Sequence, residues 1–432
     1  MFLTEEENRK LTQVGSGTPG GELLRRYWYP IAGLHQVTEE SPTAFVRMLG
    51  EDLVLFRDKS GGVGLIADHC SHRGASLLYG RVEERGIACA YHGWLYDTHG
   101  NCLETPAEPA DSNFYLTVKH RAYPVEQLMG LYWAYLGPPP TPPIRRLDVA
   151  AYPVEHILEM AYDASWVQVV ENHVDSTHIY ILHQDTAARG GTGVRSTTRG
   201  NIDGLASLDY EELQFGIKRK IVPDQSYVED DLLVFPNMLR RVNQVQVHVP
   251  IDDTHTRTFK LYFLCERNGY DAKAAQDPVD YYILQPGEGK FGTGAYPDAR
   301  YGIDRLTRQD VMAIETQGGI SPRHNWRLAT SDRGVALFEQ VLLREIDRVQ
   351  QGHDPKGVVR DPNQVIDTNF EFFRETGGSA TQQYSYEGLQ VYTRTGAPSP
   401  SPLPPGGEGK GEGAGASPEP SGRRPGPIGA RA

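Results

Sequence analysis

The sequence predicts an α+β fold: a β-rich domain, then a domain mixing sheet and helix, then a tail with no core. Three observations carry this. Strand-length apolar runs divided by glycine-bearing turns fill residues 43–142. The stretch GVALFEQVLLREIDRVQQG has apolar residues at intervals of three and four and closes on glycine, the pattern of an amphipathic helix. From Gly396 onward roughly half the residues are Gly or Pro, too few apolar groups to offset the entropy of ordering.

Taken in order, residues 1–42 read as a helical leader. GELLRRYWYPIA has helix formers after a glycine-rich turn and predicts a helix that stops at Pro30. AFVRMLGEDLVLFRDKSGGVGLIADHC reads as three strands joined by turns at LGED and DKSGG, and GIACAYHGWLYD and GLYWAYLG as further strands. The prolines of GPPPTPPIRR mark a boundary, so that 43–142 and 143–395 are separate domains. In the second, ASWVQVVENHVD predicts a helix, and DLLVFPNMLRRVNQVQVHVPIDD and TRTFKLYFLCER predict strands. Residues 396–432 are expected to be a disordered tail.

Composition narrows the function. A formal net charge of −13 disfavours nucleic acid or an anionic membrane as partner. No apolar run approaches the roughly 18 residues of a membrane span, and the start, MFLTEEENRK, lacks the basic-then-apolar layout of a secretion signal, so the cytoplasm is expected. Four cysteines in 432 residues are no disulfide framework. Cys102 and Cys265, without histidines close by, read as buried thiols.

The strongest signal is CSHRGASLLYGRVEERGIACAYHGWLYD. Cys70 and His72 form C-x-H, sixteen residues intervene, and Cys89 and His92 form C-x-x-H. Each pair lies at a strand end beside glycine, so two loops could each present one sulfur and one imidazole. Zinc takes two cysteines and two histidines, but its sites pair like with like in sequence. A [2Fe–2S] centre with two cysteines on one iron and two histidines on the other suits one of each per loop. Tyr91 and Tyr96 flank the second loop, and either hydroxyl could donate to a sulfur. A second cluster, ENHVDSTHIYILH, is ambiguous alone. His178 and His183 are five apart, about 140° around an ideal helix, so a helix must distort or end between them to aim both at one ion. GSGTPG matches a dinucleotide fingerprint, but no strand precedes it and no crossover follows, so it is not read as one.

CSHRGASL and CAYHGWLYD resemble the two ligand loops of the Rieske domain in the Rieske non-haem iron ring-hydroxylating oxygenase α subunits. ENHVDSTHIYILH resembles the family's second motif, N-x-x-D-x-x-H-x-x-x-x-H, with Asn172, Asp175, His178 and His183 in register. GSGTPG followed by LLRRYW resembles the leader of the phthalate-type group, VPIDDTHT fits the same pattern, and RQDVMAIETQGGISPR resembles the group's late motif. No mechanism follows for Asp252 or Asp253.

The resemblance implies that Cys70, His72, Cys89 and His92 hold a [2Fe–2S] cluster. It implies that His178, His183 and one carboxylate hold a mononuclear non-haem Fe(II), with open positions for oxygen. Spacing leaves Asp304, Asp310, Glu315 and Asp332 as candidates for the carboxylate; the late motif points to Asp310, whose competing reading is a helix cap. Asp175 is implied to link the iron site to a Rieske histidine of a neighbouring subunit, with Asn172 beside it in the motif. His173, outside the motif, is given a surface or structural role.

The implied fold of the second domain is an antiparallel sheet flanked by helices. The implied assembly is a head-to-tail homotrimer fed by a separate NAD(P)H-dependent reductase, with or without a ferredoxin. The expected reaction is O2-dependent hydroxylation of an aromatic compound, an aromatic acid above all. The alternatives are a monooxygenase (an O-demethylase or steroid-type hydroxylase) and a pure Rieske electron carrier. Arg240 and Arg241, one inward and one outward on a strand, and Arg195 and Arg199 are candidates to hold a substrate carboxylate, against the plainer reading of surface ion pairs.

Overall fold

The computed structural model describes residues 3–175, 177–183, 209–220, 232–241, 244–263, 280–284, 306–368 and 390–392. The expected tail, and with it Cys265, Asp304, Arg195 and Arg199, lies outside them.

The leader opens with α1 (Glu5–Thr12), whose start carries a reciprocal cap: Thr4 Oγ1 accepts from Glu7 N at 3.1 Å, and Thr4 N donates to Glu7 Oε2 at 2.7 Å. In α2 (Pro19–Leu24), Thr18 caps and proline takes the first helical position. Gly20, which ends GSGTPG, and Gly21 after it serve packing. A Cβ on Gly21 would lie 2.1 Å from Gly15 O, and one on Gly20 would lie 2.6 Å from Lys10 O. The expected helix to Pro30 is corrected here: α2 ends at Leu24, and Trp28–Gly33 is strand β1. Trp28, Tyr29 and Ile31 favour a strand buried on both faces, and the register shifts between Pro30 and Ala32, where a residue without an N–H is tolerated.

The β-rich region comprises β2 (Thr43–Met48), β3 (Glu51–Arg57), β4 (Val63–Ala67), β5 (Arg81–Glu83), β6 (Gly86–Ala88), β7 (Leu95–Tyr96), β8 (Cys102–Glu104), β9 (Ala122–Tyr123), β10 (Val125–Leu128) and β11 (Leu131–Tyr135). They form sheets ordered β2-β3-β4-β9, β5-β6-β7-β8 and β1-β11-β10. The β2–β3 turn is LGED, as read from sequence. Leu49 and Gly50 both have positive φ, 51° and 74°, the primed turn whose twist suits a hairpin.

The second region contains β12 (Arg146–Leu147), β13 (Val154–Tyr162), α3 (Trp166–Val174), α4 (Thr177–Ile181), β14 (Asp209–Glu212), β15 (Gly216–Lys220), β16 (Leu232–Val234), β17 (Met238–Arg241), β18 (Gln244–Asp252), β19 (His255–Phe263), β20 (Asp280–Leu284), α5 (Leu306–Glu315), α6 (Arg333–Gln350), β21 (Val365–Ile366) and β22 (Gln390–Tyr392). A nine-stranded sheet, β14-β15-β16-β17-β18-β19-β13-β20-β22, is its frame. Its pairs are antiparallel except β13 with β20. A separate parallel pair joins β12 to β21.

Strand alternation gives this sheet two unlike faces. Ile157, Val245, Val247, Phe259 and Leu261 face the main core. The other face carries Gln244, Gln246, His248, Thr258 and Lys260, and helices α3 and α5 cover its end through Met160, Val169 and Ile314. Helix α6 buries Val335, Phe338, Val341, Leu342, Ile346 and Val349, the stripe predicted for it. Among the described residues, no helix is long and apolar enough to cross a membrane.

Candidate metal centres

The two Cys–His loops close in the same way. Cys70 O accepts from Gly74 N at 2.8 Å and Cys70 N donates to Ala75 O at 2.9 Å; Cys89 O accepts from Gly93 N at 2.9 Å and Cys89 N donates to Trp94 O at 2.9 Å. Gly74 and Gly93, each four residues after its cysteine, have φ of +77° and +74°, which admits glycine with least strain. The cysteines are buried, at 3% and 2% exposure, while His72 and His92 are partly exposed with ring centroids 4.5 Å apart. Trp94 stacks on His72 at 4.4 Å, within 8° of parallel.

Of the two tyrosines considered, Tyr96 reaches a sulfur: its hydroxyl lies 3.2 Å from Cys70 Sγ, whereas Tyr91 is exposed against the His92 ring. Burial raises the pKa of the Cys70 thiol, against a lowering by the Tyr96 hydrogen bond. The buried Cys70 sulfur therefore needs a cation to become a thiolate. Sulfurs inside and imidazoles outside fit a [2Fe–2S] cluster with one iron on each ligand type.

The second centre begins where α3 ends. Asp175 leaves the helix with extended geometry, φ −91° and ψ 111°, and its Oδ1 accepts from Thr177 N at 2.7 Å, which starts α4. The helix read through ENHVD thus breaks at Asp175, because that carboxylate competes with the backbone for its own neighbours. Helix α4 then ends at Ile181, between the two histidines, so His178 is helical and His183 is not. That resolves the five-residue interval.

His183 Nε2 lies 3.0 Å and His178 Nε2 3.7 Å from Asp310 Oδ1. One ligand atom from each of the three residues can lie within 4.8 Å of the others. The histidine rings are 5.3 Å apart and nearly perpendicular. Asp310 is inside α5 and caps nothing. Burial pushes its carboxyl up, but the closeness of His183, and then of His178 and Lys260, outweighs this and holds it below the usual carboxylate range. Asp310 Oδ1 is buried without a hydrogen-bond partner, a position suited to a cation. Two imidazoles and one carboxylate fit an octahedral ferrous ion with positions left open.

Around these three, His183 Nδ1 lies 2.7 Å from Gln309 Oε1, and His178 Nδ1 lies 3.5 Å from Asp175 Oδ2. Asn172 is on α3, partly buried. Other carboxylate candidates are engaged elsewhere: Glu315 Oε1 accepts from Asp163 N at 3.0 Å, and Asp332 Oδ2 from Ala329 N at 2.6 Å. His173 stacks on His248 with centroids 4.7 Å apart.

Arg240 and Arg241 do split between faces. Arg240 is fully buried on the core side, with Nε donating to Thr368 Oγ1 at 3.1 Å, and Arg241 lies opposite Gln244 on the polar face. Asp253 and Asp252 acquire structural roles. Asp253 Oδ1 accepts from Val14 N at 2.8 Å, tying the leader to the β18–β19 turn, while Asp252 Oδ1 accepts from Thr254 N at 3.0 Å within that turn. Cys102 is a buried free thiol. Sequence reasoning assigned no role to Gln309, although it stands beside Asp310 in the late motif, or to Lys260, which carries no motif signal.

The profile of the Rieske [2Fe-2S] domain matches residues 27–124. The chain is 32% identical over 375 residues to the 5,5'-dehydrodivanillate O-demethylase oxygenase subunit of Sphingobium sp. (strain NBRC 103272 / SYK-6), covering 84% of each. It is 33% identical over 397 residues to the phthalate 4,5-dioxygenase oxygenase subunit of Pseudomonas putida, covering 82% of this chain and 89% of the relative. Among solved structures, the oxygenase of an oxygenase–ferredoxin complex of carbazole 1,9a-dioxygenase shares the fold with a TM-score of 0.54 at 19% identity, covering 84% of this chain and 97% of that one. The chain belongs to the Rieske non-haem iron ring-hydroxylating oxygenase α subunits, oxidoreductases that carry a Rieske [2Fe–2S] cluster and a mononuclear non-haem iron.

Proposed function

We propose that this chain is a terminal oxygenase that hydroxylates an aromatic acid with O2, using electrons from a separate NAD(P)H-dependent reductase, directly or through a ferredoxin. The observation that carries the reading is the convergence of His178 in α4, His183 just past its end and Asp310 in α5. In it, Cys70, His72, Cys89 and His92 hold the cluster, and His178, His183 and Asp310 hold the iron. Ferrous iron on such a triad supplies one-electron chemistry with O2.

The remaining residues prepare that chemistry. With Cys70 bound as a thiolate, the Tyr96 hydroxyl 3.2 Å away would donate to its sulfur and favour the reduced, more negative cluster. Trp94 fixes the His72 ring, and the partly exposed edges of His72 and His92 are where an electron would leave. Asp175, beside His178 Nδ1, is placed to orient that ring and to receive a Rieske histidine of the next subunit in a head-to-tail homotrimer, with Asn172 supporting it. The free buried thiol of Cys102 suits a reducing compartment, the cytoplasm.

O-demethylation is the second reading, favoured by the O-demethylase subunit among the relatives. The first test is His178→Ala. Substrate-dependent O2 uptake should fall to background while the visible absorbance of the cluster persists; unchanged uptake would overturn the proposal. Product analysis with aromatic acids and their methyl ethers then separates a ring-hydroxylated product from a phenol plus formaldehyde.

A further inference from the structure

The polar face of the nine-stranded sheet holds buried hydrogen-bonding groups that no described residue answers. Pairing of β18 with β19 puts Gln246 opposite Lys260 and His248 opposite Thr258, so the four side chains share a face. His173 of α3 lies on His248. His173 Nε2, His248 Nε2 and Gln246 Oε1 are all buried without a hydrogen-bond partner among the described residues. His248 is fully buried and Gln246 is 4% exposed. Each such atom costs about 1–3 kcal/mol unless something answers it, and several on one face mark a place built for a polar guest.

Lys260 adds charge. No hydrogen bond or ion pair ends on its ammonium among the described residues. Burial lowers its pKa to about 8; Asp310 works against that and Arg241 adds to it, so the group remains mainly cationic at neutral pH. Asp310 is the acidic group acting on it, and that carboxylate is the one assigned to iron. A divalent ion on two neutral imidazoles and one carboxylate carries net positive charge, so Asp310 could not then serve Lys260 as counter-ion. The Lys260 ammonium would then stand without a counter-ion among the described residues, in a partly dry setting where an unpaired charge is costly.

We propose that Lys260, flanked by His248 and Gln246, is the anchor for the carboxylate of an aromatic acid and positions its ring toward the His178, His183 and Asp310 site. The ammonium pairs with the carboxylate. Where Thr258 donates to His248 Nδ1, 2.8 Å away, the His248 Nε2–H is left to donate to the second oxygen. Lys260 is a positioning residue and takes no part in oxygen chemistry. The inference rests on the aromatic-acid reading above and names the residue that would impose it.

The test uses the metal-loaded oxygenase without O2, titrated calorimetrically with 4-methoxybenzoate and with its neutral methyl ester. Wild type should bind the acid more tightly than the ester. Lys260→Met should weaken acid binding at least about 10-fold and leave the ester within about 2-fold, and Lys260→Arg should restore the acid preference. In turnover, Lys260→Met should raise KM for the acid far more than it lowers kcat. Equal loss for acid and ester, or no loss, would overturn the proposal and leave ordered water as the occupant of the face. If Lys260→Met loses cluster absorbance and so its fold, Lys260→Gln replaces it. Wild type binding the ester as tightly as the acid overturns the proposal with no variant at all. Because binding is read without O2, failure here leaves the oxygenase reading to the His178→Ala experiment.

Discussion

Gln309 shows how much of a metal site resides in one neighbour. Its amide oxygen can only accept, so His183 Nδ1 must carry the proton and Nε2, facing Asp310, must present the lone pair. Replacing it by leucine removes both the tautomer control and the partner of a buried N–H. Gln309→Leu is expected to weaken Fe(II) affinity by about 10–100-fold, read by titration of iron-stripped protein, with the Rieske absorbance intact. Unaltered affinity would take Gln309 out of this role. The ligands themselves could be singled out from sequence because metals demand particular residue types at particular intervals. Gln309 and Lys260 could not, since a glutamine before an aspartate and a lysine in a strand are ordinary until helix phase and strand register aim them.

At the scale of elements, the β2–β3 hairpin joins the two regions. Leu49 N donates to Pro250 O and Gly50 N to Ile251 O, each at 2.9 Å, so the tip of the hairpin caps the end of β18. Leu49 does so with a fully buried side chain and a φ of 51°, which costs a non-glycine residue about 1–2 kcal/mol. Leu49→Ala is expected to cost about 2–4 kcal/mol through the lost side chain while keeping the backbone strain. Leu49→Gly loses the same burial and relieves the strain, so it should unfold no earlier than Leu49→Ala in urea, reversing the usual order of the two. A clearly lower midpoint for the glycine variant would show that the strain is negligible. The turn was legible from LGED because turn chemistry is local. The strand at Trp28–Gly33 was not: its neighbours favour helix, and only pairing with the distant β11 selects the extended form. The break of α3 at Asp175 was likewise hidden, because it depends on which way one carboxylate turns.

Across the whole molecule, the helix that leads into the iron site is tied to the leader by one buried guanidinium. Arg323 Nε and Nη2 hold Glu171 of α3 at 2.6 and 2.7 Å, and Nη1 donates to Asn8 Oδ1 of α1 at 3.0 Å. Glu339 of α6 stands 3.8 Å from Arg323 Nε. Glu171 is four residues from Asp175, so this cluster fixes the start of the motif that presents His178 and His183. Two acids share one cation, and burial raises both carboxyls. Burial and then the charge of Glu171 bring Glu339 to about 8, while the bidentate arginine keeps Glu171 the ionised member. The ordinary carboxyl value of Glu339 is 4.5. Between that and about 8 the folded protein binds more protons than the unfolded chain, so this group makes stability fall as pH rises through the window and level off above it. Glu339→Gln keeps a neutral hydrogen-bonding group and should flatten the decline, so that its melting temperature gains on wild type between pH 6 and 8.5. Arg323→Met leaves a buried carboxylate unpaired, a loss of about 3–5 kcal/mol, and should loosen Fe(II) binding as well, because α3 loses its anchor. Parallel melting curves for wild type and Glu339→Gln across that range would mean that Glu339 is ionised in the folded protein and that the cluster carries a net negative charge.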